Sequence, residues 1–479
     1  MIKYAKRSDK MKNKFVRLQN IIIQDFKNVQ YGQLSFENNR KNYDASILGL
    51  YGQNGSGKTS LIDAMLLLKY ALCGQPVPEY FADYVNINAE CATLTYTFKV
   101  VNNEEDTEYK LVYSFNIRKD FEENINTNGV LNNQKYKTVI FNEQLKLSYE
   151  HNQEKIKLST IINTKSETEI FTPKSKYNIL VGTDKKIFMD LMVAKKMTAL
   201  SSMSFIFSRQ FLDIIRKNCS DKKYLFAIES LVDYGNNELF IINVVNSGLI
   251  NMNTLPIAFK YEEKASLAIG NLAIPLNDSA LIPEQILDVL KKVIDDMNIV
   301  LKQIVPGLTI EICELGMELS KDNHKSVRIQ FMSNKNAKQI PLKYESEGIK
   351  KIISVLQLLI VVYNQPSITV AIDELDAGIF EYLLGELLQI ISEKGKGQLM
   401  FTSHNLRPLE TIDKGFIAFT TTNPANRYIR FNNIKTNNNL RDFYYRDIIL
   451  GEQEENTYEP TNKYDIAFAF REAGEYIGS

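Results

Sequence analysis

Histidine and cysteine are scarce in this chain. His151, His324 and His404 are its three histidines, too few for a metal nuclease whose centre needs clustered imidazoles. The four cysteines, Cys73, Cys91, Cys219 and Cys313, form no CxxC pair. That spacing excludes a zinc knuckle and a disulfide scaffold and fits free thiols in a reducing compartment. No apolar run approaches the roughly 18 residues of a membrane-spanning helix, and no signal-peptide core follows the charged residues 1–14. A soluble cytoplasmic protein with no membrane partner is therefore expected. An excess of one charge is missing as well: 57 basic residues stand against 57 acidic ones, a net charge of +0. Nucleic-acid binders usually carry a basic excess, so the charge gives no sign of DNA binding beyond what a local basic groove would allow. The hydrophobic share, 44% of 479 residues, is enough for a sizeable core, and at roughly 150 residues per domain the length predicts two to four domains.

Residues 15–24 (FVRLQNIIIQ) and 31–36 (YGQLSF) predict an opening hairpin. Residues 45–51 (ASILGLY) form a short apolar run that ends at Gly52 and precedes a helical pattern over 59–72. Strand, glycine loop and helix open a buried α/β unit. Alternation over 91–117 and 136–158 predicts half-exposed antiparallel sheet. Residues 184–231 read as helical, and 236–283 as mixed, with Gly248, Pro256, Gly270 and Pro275 as breakers. In 283–305, Ile286, Leu290, Val293, Met297, Val300 and Ile304 trace one face of an amphipathic helix. Packing on its own domain is the expectation for that helix, a protein-binding arm the alternative. Alternation returns over 308–340, followed by helix at 347–363, strand at 368–372, helix at 380–393 and strand at 398–402. Residues 432–439 and 451–463 are polar and expected to be flexible.

Four motifs carry chemistry. Gly52-Gln53-Asn54-Gly55-Ser56-Gly57-Lys58-Thr59 matches GxxxxGK[ST] in the required strand-loop-helix context. Its glycines turn backbone N–H groups toward phosphate oxygens, the helix start adds partial positive charge, and Lys58 reaches the terminal phosphates. Gly52, Asn54, Gly55, Ser56, Gly57, Lys58, Thr59 and Ser60 are thus the candidate cofactor-binding residues; the motif does not separate ATP from GTP. The Thr59 hydroxyl suits Mg²⁺. At the end of the strand over 368–372 stand Asp373 and Glu374, at the carboxyl edge where open α/β sheets bind ligands. Asp373 would hold Mg²⁺ and Glu374 would polarise the attacking water. His404 ends the next strand and could sense the γ-phosphate. Ser346 and Gly348 stand at a helix N-terminus, a second anion site, where an ordinary N-cap is the plainer alternative.

These motifs, in this order, resemble the ATP-binding-cassette ATPase fold. The resemblance is to the branch of structural-maintenance-of-chromosomes (SMC), RecF and overcoming-lysogenization-defect proteins, and includes the opening hairpin with its Gln24-Asp25-Phe26-Lys27-Asn28 turn. It implies an α/β head, a mixed sheet with flanking helices plus an antiparallel β subdomain. It further implies ATP and Mg²⁺ as cofactors and a homodimer, or a higher oligomer built of head-to-head dimers, sandwiching two ATP molecules. Ser346 and Gly348 would then close on nucleotide held by the partner's Lys58. The family's glutamine loop is best matched by Gln210, as a further Mg²⁺ ligand. The long stretch from Lys58 to Ser346 lacks sustained heptads, so a compact α+β insertion replaces the coiled coil of the structural-maintenance proteins. That pattern, with Asp373-Glu374-Leu375-Asp376-Ala377-Gly378-Ile379-Phe380, resembles stand-alone ATPases of prokaryotic anti-phage systems, most of all the ATPase subunits of PARIS systems. The resemblance implies an ATP-driven switch controlling a separate toxic effector, a nuclease, in answer to a phage protein trigger. A RecF-like DNA-repair ATPase is the alternative. The expected organisation is a disordered leader (1–14), an N-terminal ATPase lobe (15–180), the insertion (181–340), a C-terminal lobe (341–432) and a tail (433–479). Asp442, Asp447 and Asp465 are isolated, so no nuclease activity of the chain's own is expected.

Overall fold

The computed structural model describes residues 2–6, 14–37, 44–121, 136–151, 154–263, 266–319, 325–336, 338–431, 439–451 and 453–475. The chain opens with β1 (Ile2–Lys6), β2 (Lys14–Phe26), β3 (Val29–Ser35) and β4 (Ser46–Tyr51), followed by α1 (Lys58–Leu72). Four long strands follow: β5 (Ala92–Asn102), β6 (Thr107–Phe121), β7 (Tyr136–His151) and β8 (Glu154–Asn163). Next come the helices α2 (Lys174–Leu180), α3 (Lys185–Leu200), α4 (Arg209–Asn218) and α5 (Lys222–Asp233), then β9 (Leu239–Ile242) and α6 (Val244–Asn251). A β-rich stretch holds β10 (Thr254–Glu263), β11 (Ser266–Pro275), β12 (Ala280–Pro283), α7 (Glu284–Ile304), β13 (Leu308–Leu319), β14 (Lys325–Lys335) and β15 (Lys338–Pro341). The C-terminal part contains α8 (Glu347–Asn364), β16 (Thr369–Ile372), α9 (Glu381–Lys394), β17 (Gln398–Thr402), α10 (Pro408–Thr411), β18 (Ile417–Thr420), β19 (Tyr428–Ile429), α11 (Leu440–Leu450) and α12 (Lys463–Glu475).

A six-stranded sheet in the order β19-β18-β4-β17-β16-β9 forms the centre. Its strands run parallel except β19, which pairs antiparallel with β18. These strands read as nearly continuous apolar runs because both faces are covered. Leu48, Leu50, Ala371, Met400 and Ala418 join one hydrophobic core, while Ile47, Tyr51, Val370, Ile372, Phe401 and Phe419 join the other. A second six-stranded sheet, antiparallel in the order β3-β2-β5-β6-β7-β8, lies over the first core. Its strands alternate as expected: Leu94, Tyr96, Phe98 and Val100 are buried on β5, and Tyr109, Leu111, Tyr113 and Phe115 on the paired β6. Helix α1 belongs to the same core and is buried along nearly its whole length. A helix enclosed on all sides loses the polar face of an amphipathic one, and the hydroxyl of Tyr96 on the antiparallel sheet donates to Ala64 O at 2.6 Å.

Three expectations are corrected. The leader is not wholly disordered: β1 pairs antiparallel with β11, Ile2 opposite Gly270 and Lys6 opposite Ser266, because β11 offers an open edge to any extended segment. The rest of the expected leader, up to residue 13, lies outside the described residues. Residues 181–340 are compact and free of long coiled coil, yet they do not form one insertion. Helices α3–α5 pack into the core beneath the antiparallel sheet, β9 completes the central sheet, and β10–β14 with α7 pack with α8 in the second core. Apolar surface is shared between lobes, and a boundary drawn on sequence position cannot follow it. Residues 451–463 were expected to be flexible, but the described part is stitched down. Thr422 N donates to Asn456 O at 2.8 Å, Asn423 Nδ2 reaches both Glu455 carboxylate oxygens at 3.1 Å, and Thr457 Oγ1 donates to Asp447 Oδ2 at 2.6 Å. Residues 432–438 lie outside the described residues. Helix α7 packs on its own lobe through Leu287, Leu290, Val293, Ile294, Met297 and Leu301, which decides against a free arm.

Candidate active site

The carboxyl ends of β4, β16 and β17 meet around a cleft of about 320 Å³, lined by Lys27, Asn28, Asn54, Gly55, Gly57, Lys58, Thr59, Ser60, Asp373, Glu374, Thr402 and His404. Strand order puts β4 between β17 and β18, so the loop leaving β4 for α1 sits at the crossover point where open α/β sheets bind ligands. The phosphate loop, the paired carboxylates and His404 are thereby gathered from three distant stretches of sequence.

Backbone conformation explains the glycines of the loop. Gly52 has φ +152°, and a Cβ there would lie 1.7 Å from Thr420 Oγ1; no side chain fits. Ser56 Oγ donates to Gln53 O at 2.6 Å and also pairs with the Thr420 hydroxyl, so β18 braces the loop. The Tyr428 hydroxyl donates to Gly57 O at 2.9 Å. Lys58 donates to Gly52 O at 2.8 Å and to Gln53 O at 2.9 Å, its ammonium folded over the loop's own carbonyls. Burial pushes the Lys58 ammonium below its usual range, while Asp373, Glu374 and Asp376 oppose that shift. An anionic phosphate in the loop would relieve the same desolvation.

The acidic side is organised by Thr402. Its hydroxyl donates to Asp373 Oδ1 at 2.5 Å and accepts from Glu374 N at 2.8 Å, which locks both acidic residues to the end of β17. Asp373 is 1% exposed, and its Oδ2 is buried without a hydrogen-bond partner. An orphaned carboxylate oxygen in a cleft shared with the Thr59 hydroxyl fits a hard cation such as Mg²⁺. No group of three or more His, Cys, Asp or Glu side chains among the described residues could hold a metal by itself. Mg²⁺ here would accordingly depend on nucleotide phosphates and water for its other ligands. Glu374 adopts φ +49°, a left-handed conformation that costs a residue with a Cβ on the order of 1 kcal/mol. The strained residue itself lines the cleft.

Gln210 is not part of this site. It lies at the start of α4, and Phe207 O, three residues earlier, packs against Gly74 just past the C-terminal end of α1. A helix of 15 residues at about 1.5 Å per residue separates that end from Lys58 by roughly 22 Å. Ser346 and Gly348 do not line the cleft either. Ser346 is the N-cap of α8, accepting from Ile349 N at 3.3 Å, and is exposed. Both the plain cap and an anion site facing outward are compatible with that position.

Several residues at the site were given no role by sequence reasoning. Lys27 and Asn28, on the turn between β2 and β3, reach the loop: Asn28 Nδ2 donates to Gly55 O, and Ser60 Oγ donates to Asn28 Oδ1 at 3.1 Å. Lys27 pairs with Asp63 on α1 and lies 3.9 Å from the centre of the Tyr84 ring. Asp376 accepts the backbone N–H groups of His404 and Asn405, each at 3.1 Å. Its own loop touches α8, since a Cβ on Gly348 would lie 2.1 Å from Gly378 O. The spacing of Asp376 after Glu374 was a usable signal. Arg427 and Tyr428 left none, because only the sheet's closure brings them to the loop.

A profile of the RecF/RecN/SMC N-terminal domain matches residues 17–426. The chain belongs to this family. It is an ATPase head of the SMC/RecF kind, whose members use ATP and whose heads dimerise. Among solved structures it is similar to the SMC head bound to the C-winged helix domain of ScpA, at 12% identity over 86% of this chain and 96% of that one, with a TM-score of 0.38. The SMC head domain from Thermotoga maritima matches at 13% identity over 87% and 100%, with a TM-score of 0.37. The recombination mediator RecF with ATP, from the RecFOR pathway, matches at 15% identity over 81% and 94%, with a TM-score of 0.31. No curated protein matches. Among the described residues, no helix is long and apolar enough to cross a membrane.

Proposed function

We propose that this SMC/RecF-type head is an ATP-hydrolysing switch that closes head-to-head around nucleotide and controls a separate toxic effector in anti-phage defence. The observation that carries the switch is the division of the site. The cleft gathers the phosphate loop with Thr59, Asp373, Glu374 and His404, yet the exposed Ser346 and the half-buried Gly348 lie outside it. Those residues would complete the nucleotide site of a second copy. Lys58 would neutralise the terminal phosphates, Glu374 would take the proton of the attacking water, and His404 would register whether a γ-phosphate is present. Thr59 and Asp373 would hold Mg²⁺, which supplies charge neutralisation on the phosphates. The effector reading rests on the likeness of the run 373–380 and of the compact head to stand-alone ATPases of anti-phage systems. Hydrolysis of ATP does no damage by itself, so a defence role needs a second protein.

Glu374→Gln tests the switch: hydrolysis should slow by roughly 10²–10⁴-fold while an ATP-dependent dimer accumulates in sedimentation. Unchanged turnover would reassign the general base. Purified protein should leave DNA and RNA intact with Mg²⁺ or Mn²⁺; cleavage that follows the chain through successive columns would refute the separate effector. Tight, salt-dependent DNA binding would favour a RecF-like repair role.

A further inference from the structure

Helix α12 spans 13 residues, and every side chain described on it is exposed. Tyr464, Phe468 and Phe470 stand 63–77% exposed, and Ile466 is also in water. Isolated helices of about 12–15 residues are marginal in water. At about 100° per residue, Tyr464 and Phe468 share one face while Ile466 and Phe470 lie roughly opposite. A helix apolar on two faces needs cover on both. The chain leading to α12 is held at the rim of the phosphate loop: Glu459 N donates to Gln53 Oε1 at 2.9 Å, and Gln53 Nε2 donates to Glu459 O at 3.4 Å. Only three residues separate that clamp from the helix, a reach of roughly 14 Å over four chain steps. The helix is therefore tethered close to the phosphate loop.

A second uncovered apolar patch lies on the other functional edge. Tyr344, Phe380 and Tyr382 are 51–71% exposed. They flank the contact between Gly348 and Gly378, which brings the start of α8 against the loop leading to α9. In a head-to-head pair the phosphate loop of one copy faces the Ser346–Gly348 turn of the other. In such a pair α12, tethered at the phosphate loop, would come within reach of its partner's aromatic patch, twice by symmetry.

We infer that α12 is a dimer latch: one of its apolar faces docks on the Tyr344–Phe380–Tyr382 patch of a second copy while the other faces its own head. The inference rests on the head-to-head reading above and adds to it a contact outside the nucleotide site. One contact accounts for two apolar surfaces that the single chain leaves in water, and it continues the face along which heads of this family pair.

Dimerisation is read by sedimentation velocity with ATP in the Glu374→Gln background. F468S/F470S should weaken the ATP-dependent dimer by about tenfold or more, the usual effect of removing buried aromatic anchors. F380S should weaken it similarly. Combining the two sets should cost less than the sum of the two effects, because Phe380 shares its contact with the docking face of α12. ATP binding by single protomers should be unchanged, since none of these residues lines the cleft. A dimer untouched by F468S/F470S, or weakening that adds in full on combination, overturns the latch while leaving head pairing intact. Absence of any ATP-dependent dimer in the Glu374→Gln background itself overturns head pairing, and the latch with it. Without ATP the thermal midpoint of F468S/F470S should equal the parent's, because every described side chain of α12 is exposed in the single chain.

Discussion

Asp376 lines no part of the cleft, yet its carboxylate holds the loop that does. Oδ2 accepts from the amides of His404 and Asn405 at 3.1 Å each, while Oδ1 is buried without a partner. Asp376→Ala would remove both bonds. Hydrogen bonds to a charged acceptor contribute about 1.5–3 kcal/mol, but His404 is exposed and water can serve its amide in the variant, so a net loss of about 2–3 kcal/mol is reasonable. Released from its anchor, His404 would spend most of its time away from the γ-phosphate, and misplacement of about 1 Å is enough for a 10²-fold loss. The expected outcome is a kcat lower by about 30–100-fold with KM for ATP within about twofold, measured by steady-state phosphate release. Asp376→Asn keeps an acceptor oxygen and should recover most of the rate. The decisive comparison is the double variant: if Asp376 acts through His404, Asp376→Ala should cost little once His404 is already alanine. Equal rates for the alanine and asparagine variants, or full additivity with His404→Ala, would refute the positioning role.

Lys58→Ala should abolish ATP binding in calorimetry, since it removes the buried ammonium that folds over the loop's own carbonyls; full affinity would overturn the phosphate-loop assignment. Ser346→Arg should leave ATP binding by each protomer intact and block hydrolysis, and mixing it with Lys58→Ala protein should restore at most one working site per pair; normal turnover by Ser346→Arg alone would defeat the sandwich. Gly348→Ala brings a Cβ to 2.1 Å from Gly378 O, so α8 must part from that loop, and hydrolysis should fall by about tenfold or more with nucleotide affinity retained. Burial holds the Glu143 carboxyl above its usual 4.5, against hydrogen bonds from Ser204, Tyr113 and Phe205. A raised folded-state value means a contribution to stability fully present below the unfolded 4.5 and lost as pH rises through the raised folded-state value. The urea-midpoint advantage of wild type over Glu143→Gln should therefore shrink as pH rises from 4 to 8, and a constant difference would contradict the buried protonation.

The sequence alone determined everything that depends on local order. A phosphate loop is a run of eight consecutive residues whose glycines and lysine act through their own backbone, so Gly52–Thr59 and the following α1 were legible without a fold. The same holds for Asp373-Glu374 closing an apolar strand, and for the alternation of β5 and β6. Three matters were decided only in the tertiary structure. Gln210 stands at the far end of α1 because the helices of 181–233 pack beneath the antiparallel sheet, and adjacency in sequence to a plausible motif carries no distance. Thr402 and Thr420 brace the site because parallel strands end at one edge, and Tyr428 because antiparallel β19 begins opposite Thr420; that edge is set by strand order, which each strand's own residues do not specify. Asp376 reaches His404 through a crossover from β16 to β17 whose hydrogen bonds exist only once the two strands are paired. Burial followed the same rule: residues 181–340 looked like one unit by position, but their apolar side chains were drawn to two different cores, since hydrophobic surface is buried wherever a complementary face is nearest in space.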